Sequence, residues 1–250
     1  TIIRAFKQTL QAGILPRAYF IYGSPGETEE TIEKSARLIR EISPLSAVFY
    51  MLVLFPGTHL YTRALDKGWV SDDLWHKDIE DLPWFELDDR LNFNTVKRFG
   101  DRLRYEFYSQ VSLFARQIEL KADPSLAKFH ADFLSRLAMT FSHGEYAADA
   151  RVGQAQETAQ QLYDRALTYA PDARAYLGLG MLLQKQKQFS RAIDILTQGL
   201  SAFKSHPDLS LCLGICRMNT GNFADALEIF KALPASGETR HYIQICRNHL

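Results

Sequence analysis

The sequence predicts a chain of mixed class, α/β followed by all-α: an incomplete (β/α) barrel half, then a helical repeat solenoid. Three observations carry that prediction. Two apolar, aromatic-rich stretches, residues 18–22 and 47–55, flank a helix-patterned segment, as in a parallel βαβ crossover. From Phe93 onward the apolar residues recur at helical spacing. Near the end, landmarks at Gly180, Phe189, Ala192 and Leu196 return 34 residues later as Gly214, Phe223, Ala226 and Phe230.

Each element follows from its residues. Residues 4–12 read as a helix closed by Gly13. Ala18-Tyr19-Phe20-Ile21-Tyr22 has the branched and aromatic content of a strand. Thr28 is placed to cap the next helix, Glu29 and Glu30 suit its positive N-terminal dipole, and Ile32, Ala36, Ile39 and Ser43 follow at helical spacing until Pro44. Residues 47–55 show no polar alternation, the pattern of a strand buried on both faces. Pro56-Gly57 ends it. A short helix is expected over 59–67, with Leu60, Ala64 and Leu65 inward and Gly68 as its stop. Two parallel strands need neighbours and covered faces, so the remaining strands must come from elsewhere.

Residues 71–89 carry eight acids against one Lys, and with Trp75, Pro83 and Trp84 they read as a solvated loop. Residues 93–120 are expected to form a long amphipathic helix with Val96, Phe99, Leu103, Phe107, Val111 and Phe114 buried, and Pro124 opens another. Lys97, Arg98, Arg102 and Arg104 read as a charged face balanced by Asp101 and the acidic loop.

Composition narrows the function classes. Of 250 residues, 29 are Lys or Arg and 29 Asp or Glu, so the long-range basic field that nucleic acids or anionic membranes attract is missing. The longest apolar run, residues 47–55, is too short for a bilayer, which takes about 20 helical residues. The three cysteines, Cys212, Cys216 and Cys246, are an odd number gathered late in the chain, pointing to a reducing cytoplasm rather than a disulfide framework. The first residue is Thr1, with no signal-peptide pattern, so the chain reads as a piece of something longer.

The repeat landmarks resemble the tetratricopeptide repeat, a helical hairpin in which small residues at Gly180/Gly214 and Ala192/Ala226 let the helices approach while Phe189/Phe223 and Leu196/Phe230 fill the space between. A degenerate earlier copy places Ala159, Tyr163 and Ala166 before Pro171-Asp172. The expected division is therefore 1–90 for the partial barrel and 91–146 for a helical linker. The repeats then occupy 147–250, split into 147–172, 173–207, 208–234 and a capping helix over 238–250. Such repeats imply a protein or peptide partner.

Chemistry in the front would sit in Gly23-Ser24-Pro25-Gly26-Glu27-Thr28 and Pro56-Gly57-Thr58, both after the C-terminal ends of strands, where parallel α/β folds bind ligands. Glu27, Glu29 and Glu30 would repel a phosphate and no Lys lies in the turn, so a neutral or cationic ligand suits it; the alternative is that both are simply well-formed turns. Taken with Gly13-Ile14, Lys67-Gly68-Trp69 and Trp75, these turns resemble the second half of the radical S-adenosylmethionine domain, in the subgroup that often carries a cobalamin-binding domain upstream. The resemblance implies S-adenosylmethionine, a four-iron four-sulfur cluster and, in that subgroup, cobalamin as cofactors. It implies cofactor contacts for Ile21, Gly23, Pro25, Gly26 and Glu27, with Leu54, Phe55, Pro56, Gly57 and Thr58 near the adenine. It departs from the family where the cluster should be: no Cys-x3-Cys-x2-Cys is present, and Cys212 and Cys216 read as small apolar residues at helix contacts. The missing N-terminal barrel half then counts as a partner.

The seven histidines show no zinc spacing, and Trp69, Trp75 and Trp84 read as packing or as a pocket lining. Two functions remain: part of a radical S-adenosylmethionine enzyme with an interaction tail, or a non-catalytic repeat scaffold for a peptide or protein.

Overall fold

The two front strands pair directly and in parallel, β1 (Ala18–Tyr22) on β2 (Ala47–Met51), with Phe20 opposite Phe49 and Ile21 opposite Tyr50. The computed structural model describes residues 1–76, 88 and 90–250, leaving aside the Leu74 side chain. It divides into two units, one of residues 1–7 and 16–114, the other of residues 8–15 and 115–250. Most of the acidic stretch, including Pro83 and Trp84, lies outside the described residues; its start, Asp72–His76, is a short helical turn rather than loop.

The helix α1 (Ile2–Gln11), of which residues 2–7 belong to the front unit, precedes the strands, and α2 (Glu29–Ile42) crosses between them. Thr28 and Thr31 fix the start of α2 reciprocally, each hydroxyl accepting the other's backbone N–H, at 3.3 and 2.9 Å. Ile32, Ala36, Ile39 and Ile42 form its buried stripe, and Ser43, with φ 44°, turns the chain out before Pro44. In α3 (His59–Asp66) Tyr61 joins Ala64 in the core, while Leu60 and Leu65 are only half-buried.

β2 corrects one expectation. It ends at Met51 and is covered on one face only, where the Phe49 ring stacks 5.5 Å from Phe20 and lies 6.0 Å from Phe107. The other face is exposed at Tyr19, Ile21 and Tyr50. Alternation was invisible in the sequence because both faces carry apolar residues, whether covered or not.

The helix α4 (Phe93–Arg116) buries the whole expected stripe and stops four residues before Leu120. Two of its cations find partners on α2, while most of the acidic loop expected to balance the rest lies outside the described residues. Arg102 grips Glu33 with two hydrogen bonds of 2.7 and 3.1 Å, and Arg98 meets Glu29 at 3.1 Å. Glu106, nearly buried, accepts from both Arg40 and Arg102 at 2.7 Å. Burial pushes its carboxyl up, but the two guanidinium bonds outweigh that and hold it below the usual range. Arg104 pairs with Asp101 as expected and also donates to the Tyr22 hydroxyl.

In the second unit the elements are α5 (Ala127–Ser142), α6 (Glu145–Ala148), α7 (Ala155–Tyr169), α8 (Ala173–Lys185), α9 (Phe189–Ala202), α10 (Pro207–Asn219), α11 (Phe223–Ala232) and α12 (Gly237–Asn248). They pack as successive hairpins, α5 with α7, α8 with α9 and α10 with α11, and α12 lies on α11. The pairing of α5 with α7 gives the degenerate unit a first helix inside the stretch expected to be linker. The inserted α6 lengthens the connection between them and breaks the 34-residue offset that marks the later hairpins. Where the landmarks do hold, close approach explains them: a Cβ on Gly180 would stand 2.6 Å from Leu196 Cδ2, and one on Gly214 2.5 Å from Phe230 Cε1. Phe189 and Phe223 begin their helices and stay half-buried, so Leu196 and Phe230 fill the hairpins instead. Among the described residues no helix is long and apolar enough to cross a membrane.

Candidate functional site

Because β1 and β2 run parallel, both glycine-bearing turns leave the same end of the sheet. In the first, the buried Gly23 takes φ 88° and donates its N–H to Glu27 Oε2 at 2.6 Å, closing the turn on itself. Burial pushes the Glu27 carboxyl up, against the pull of the Gly23 and Ser24 backbone bonds. Pro25 and Gly26 project outward, and Gly26, at φ 83°, donates to Asp88 Oδ2 at 3.0 Å. Arg90 holds the same carboxylate by side chain and backbone, and these bonds together bring Asp88 down to about 2.

In the second turn Phe55, Pro56 and Gly57 are exposed, and Gly57 also takes φ 83°. Thr58 caps α3: its hydroxyl donates to the Phe55 carbonyl at 2.8 Å and accepts the Tyr61 N–H at 3.2 Å. Leu54 is buried with Tyr61, Ala64 and Val70, so its side chain supports the turn from beneath. Ile21 lies on the uncovered sheet face. A Cβ on Gly26 or Gly57 would meet no atom within 4 Å; these positions need glycine for backbone conformation and leave open space beside the chain.

Pro25 and Gly26 also line a cavity of about 300 Å³ with Arg63, Lys67, Trp69 and Arg90. Sequence reading missed these cations, whose only sequence signal is the i, i+4 spacing of Arg63 and Lys67. The tryptophans separate by role: Trp69 lines this cavity beneath Lys67, 4.3 Å from its ring, whereas Trp75 packs on Tyr61 and donates to its hydroxyl at 2.7 Å. Trp84 lies outside the described residues.

A metal cluster does not fit the residues present. Among the described residues no three His, Cys, Asp or Glu side chains stand together to hold a metal. All three cysteines are buried in the second unit; Cys212 and Cys216 sit one turn apart in α10, with Cys212 Sγ 3.4 Å from Gln184 Oε1. Cys246 packs with Ala226, Leu227 and Phe230, and burial pushes its thiol up, which leaves it inert.

The second unit carries its own concavity between α5 and α8. Two cavities, of about 370 and 410 Å³, share His143 as a common wall. A hydrogen-bonded chain fixes that imidazole: Tyr163 OH lies 3.0 Å from Ser142 Oγ, which lies 2.7 Å from His143 Nδ1. Tyr163 is fully buried, its ring against Gly178, where a Cβ would collide with it.

Two family models, each described as tetratricopeptide repeat, match the chain, one over residues 145–198 and the other over 183–245. No curated protein and no solved structure matches the chain. The matches cover α6 to most of α12, the hairpins whose glycines and buried landmarks are described above, so residues 145–245 form a tetratricopeptide-repeat region.

Proposed function

We propose that the chain belongs to a radical S-adenosylmethionine protein in which the repeats hold a protein partner while the front unit supplies part of the cofactor pocket. The observation that carries this reading is the pair of open glycine turns, Gly23 to Thr28 and Pro56 to Thr58, at one end of two parallel strands. S-adenosylmethionine is cationic at sulfur and apolar in its adenine. The uncovered apolar residues Ile21 and Phe55 and the free space at Gly26 and Gly57 suit the adenine. The cluster that cleaves this cofactor in the family would be held by thiolates outside the present sequence, so no step of that chemistry is assigned to these residues. A cobalamin domain would likewise lie outside it.

The test is calorimetry with S-adenosylmethionine on the longest natural protein containing this sequence, reconstituted anaerobically with iron and sulfide. Saturable binding, weakened by Gly26→Val and Gly57→Val, is expected; a protein that takes up neither cluster nor S-adenosylmethionine overturns the proposal. A second reading, a non-catalytic scaffold, draws on the two repeat matches and on the walled groove between α5 and α8. It becomes the better reading if the reconstituted protein ignores the cofactor and still binds a peptide.

A further inference from the structure

The groove between α5 and α8 has an uneven charge. Arg136 and Arg174, which line one cavity, share a single carboxylate, each reaching Asp132 at 2.8 Å. The Asp172 carboxylate at the start of α8 also acts on Arg136, so across Arg136, Arg174 and Lys185 the surplus over Asp132 and Asp172 is one positive charge. Lys185 lines the other cavity, is exposed, and has no ion pair among the described residues. Neither cavity has an acidic side chain in its wall. His143, whose Nδ1 lies 2.7 Å from the Ser142 hydroxyl, adds an imidazole at the junction of the two cavities. Alongside these donors the groove offers two flexible apolar side chains, the half-exposed Met181 and the partly buried Met139.

We infer that this groove binds an acidic segment of a partner protein, in which carboxylates alternate with aliphatic side chains. The carboxylates meet Arg136, Arg174 and Lys185, where the net charge is positive, and the aliphatic groups pack on the two methionines. The chain as a whole is neutral, so attraction depends on this local excess and not on a global field. Spacing supports an extended occupant: Arg174 and Lys185 stand at opposite ends of α8, three turns apart, with Met181 between them. The inference rests on the reading that the repeats dock a peptide.

The test uses the full chain and three fluorescein-labelled synthetic decapeptides, alternating Glu/Leu, Gln/Leu and Lys/Leu, followed by fluorescence anisotropy. The Glu/Leu peptide is expected to bind roughly tenfold tighter than Gln/Leu, with Lys/Leu weakest, and added salt should narrow the gap. Lys185→Glu and Arg136→Glu change exposed side chains, and their folding is checked by circular dichroism. Each should weaken the Glu/Leu peptide roughly tenfold while leaving Gln/Leu unchanged. Equal binding of Glu/Leu and Gln/Leu overturns the acidic preference but leaves peptide docking standing. Failure of all three peptides overturns docking at this groove as well. Tighter capture of a labelled single-stranded oligonucleotide than of the Glu/Leu peptide overturns the assignment to a protein partner.

Discussion

Glu27 closes the first turn of the front unit by accepting the backbone N–H of Gly23 at 2.6 Å. Gly23 is buried, so that N–H has no solvent to fall back on. Removing the acceptor with Glu27→Ala is expected to destabilise the front unit by about 1–3 kcal/mol, whereas Glu27→Gln keeps an acceptor oxygen and costs less. All three tryptophans lie before residue 90, so urea unfolding followed by tryptophan fluorescence reports on this unit. The pH dependence has a definite sign. Burial raises the folded Glu27 carboxyl above its reference of 4.5, so the folded state holds the proton longer than the unfolded one. Stability relative to Glu27→Gln should fall as pH rises from about 4.5 through the folded value; a gap independent of pH removes the argument.

His130 makes the opposite case in the second unit. It is fully buried, edge-on to Tyr169 and against Gly13, and neither ring nitrogen has a hydrogen-bond partner among the described residues. Burial, with Arg165 adding to it, outweighs the pull of Asp123 and lowers its affinity for a proton below the reference of 6.5. The unfolded chain binds the proton more readily, so stability should be complete above about 6.5 and decline as pH drops below that value. His130→Phe keeps a ring of similar size and should flatten this decline in urea melts read by far-ultraviolet circular dichroism. Identical slopes for the two proteins would exclude His130 as its source.

How far the sequence was legible depends on whether one chain segment carried the whole signal. Thr28, the α2 stripe apart from its last member, where Ile42 and not Ser43 is buried, and the six buried residues of α4 were readable because capping and periodicity are local properties. The covered and uncovered faces of β2 were not, because Phe49 and Tyr50 are equally apolar and only Phe107, far along the chain, decides which is buried. The partnership of α5 with α7 was hidden by the inserted α6, which shifts the register on which repeat detection relies. Of the front turns, the glycines were legible in type and place. The cavity beside them was not, since its walls come from Gly26, Arg63, Trp69 and Arg90, brought together only by folding.

The uncovered face of the sheet carries Tyr19, Ile21 and Tyr50, with relative exposures of 64%, 60% and 54%. Contiguous exposed apolar side chains on strands bind hydrophobic probes and promote association. The double variant Ile21→Lys, Tyr50→Glu should lower the fluorescence of bound anilinonaphthalene sulfonate and reduce concentration-dependent light scattering. Among the described residues the ring stacked on Tyr50 is that of Tyr19, at 6.4 Å, so the loss of stability should stay within about 1 kcal/mol. A large loss of stability would show that the face is covered after all.

Gly178 lets the repeat core and the groove share one ring. A side chain at this position would collide with Tyr163, which is fully buried and is linked to the groove through Ser142 and His143. Gly178→Ala therefore forces either the α8 backbone or the Tyr163 ring to move, at an expected cost of about 1–3 kcal/mol in a close-packed site. Helix propensity works in the other direction, since Ala is favoured over Gly by about 1 kcal/mol inside a helix, so a net loss isolates the steric effect. The double-mutant cycle with Tyr163→Leu is decisive: with the ring gone the alanine has room, and the second substitution should recover much of the loss caused by the first. Additive losses would mean that Gly178 and Tyr163 are not in the contact described. The same cycle reaches the groove, because displacement of Tyr163 takes one hydrogen-bond partner from Ser142, the residue that holds the His143 ring. Binding of an acidic peptide by Gly178→Ala should then weaken even under conditions where the protein is fully folded.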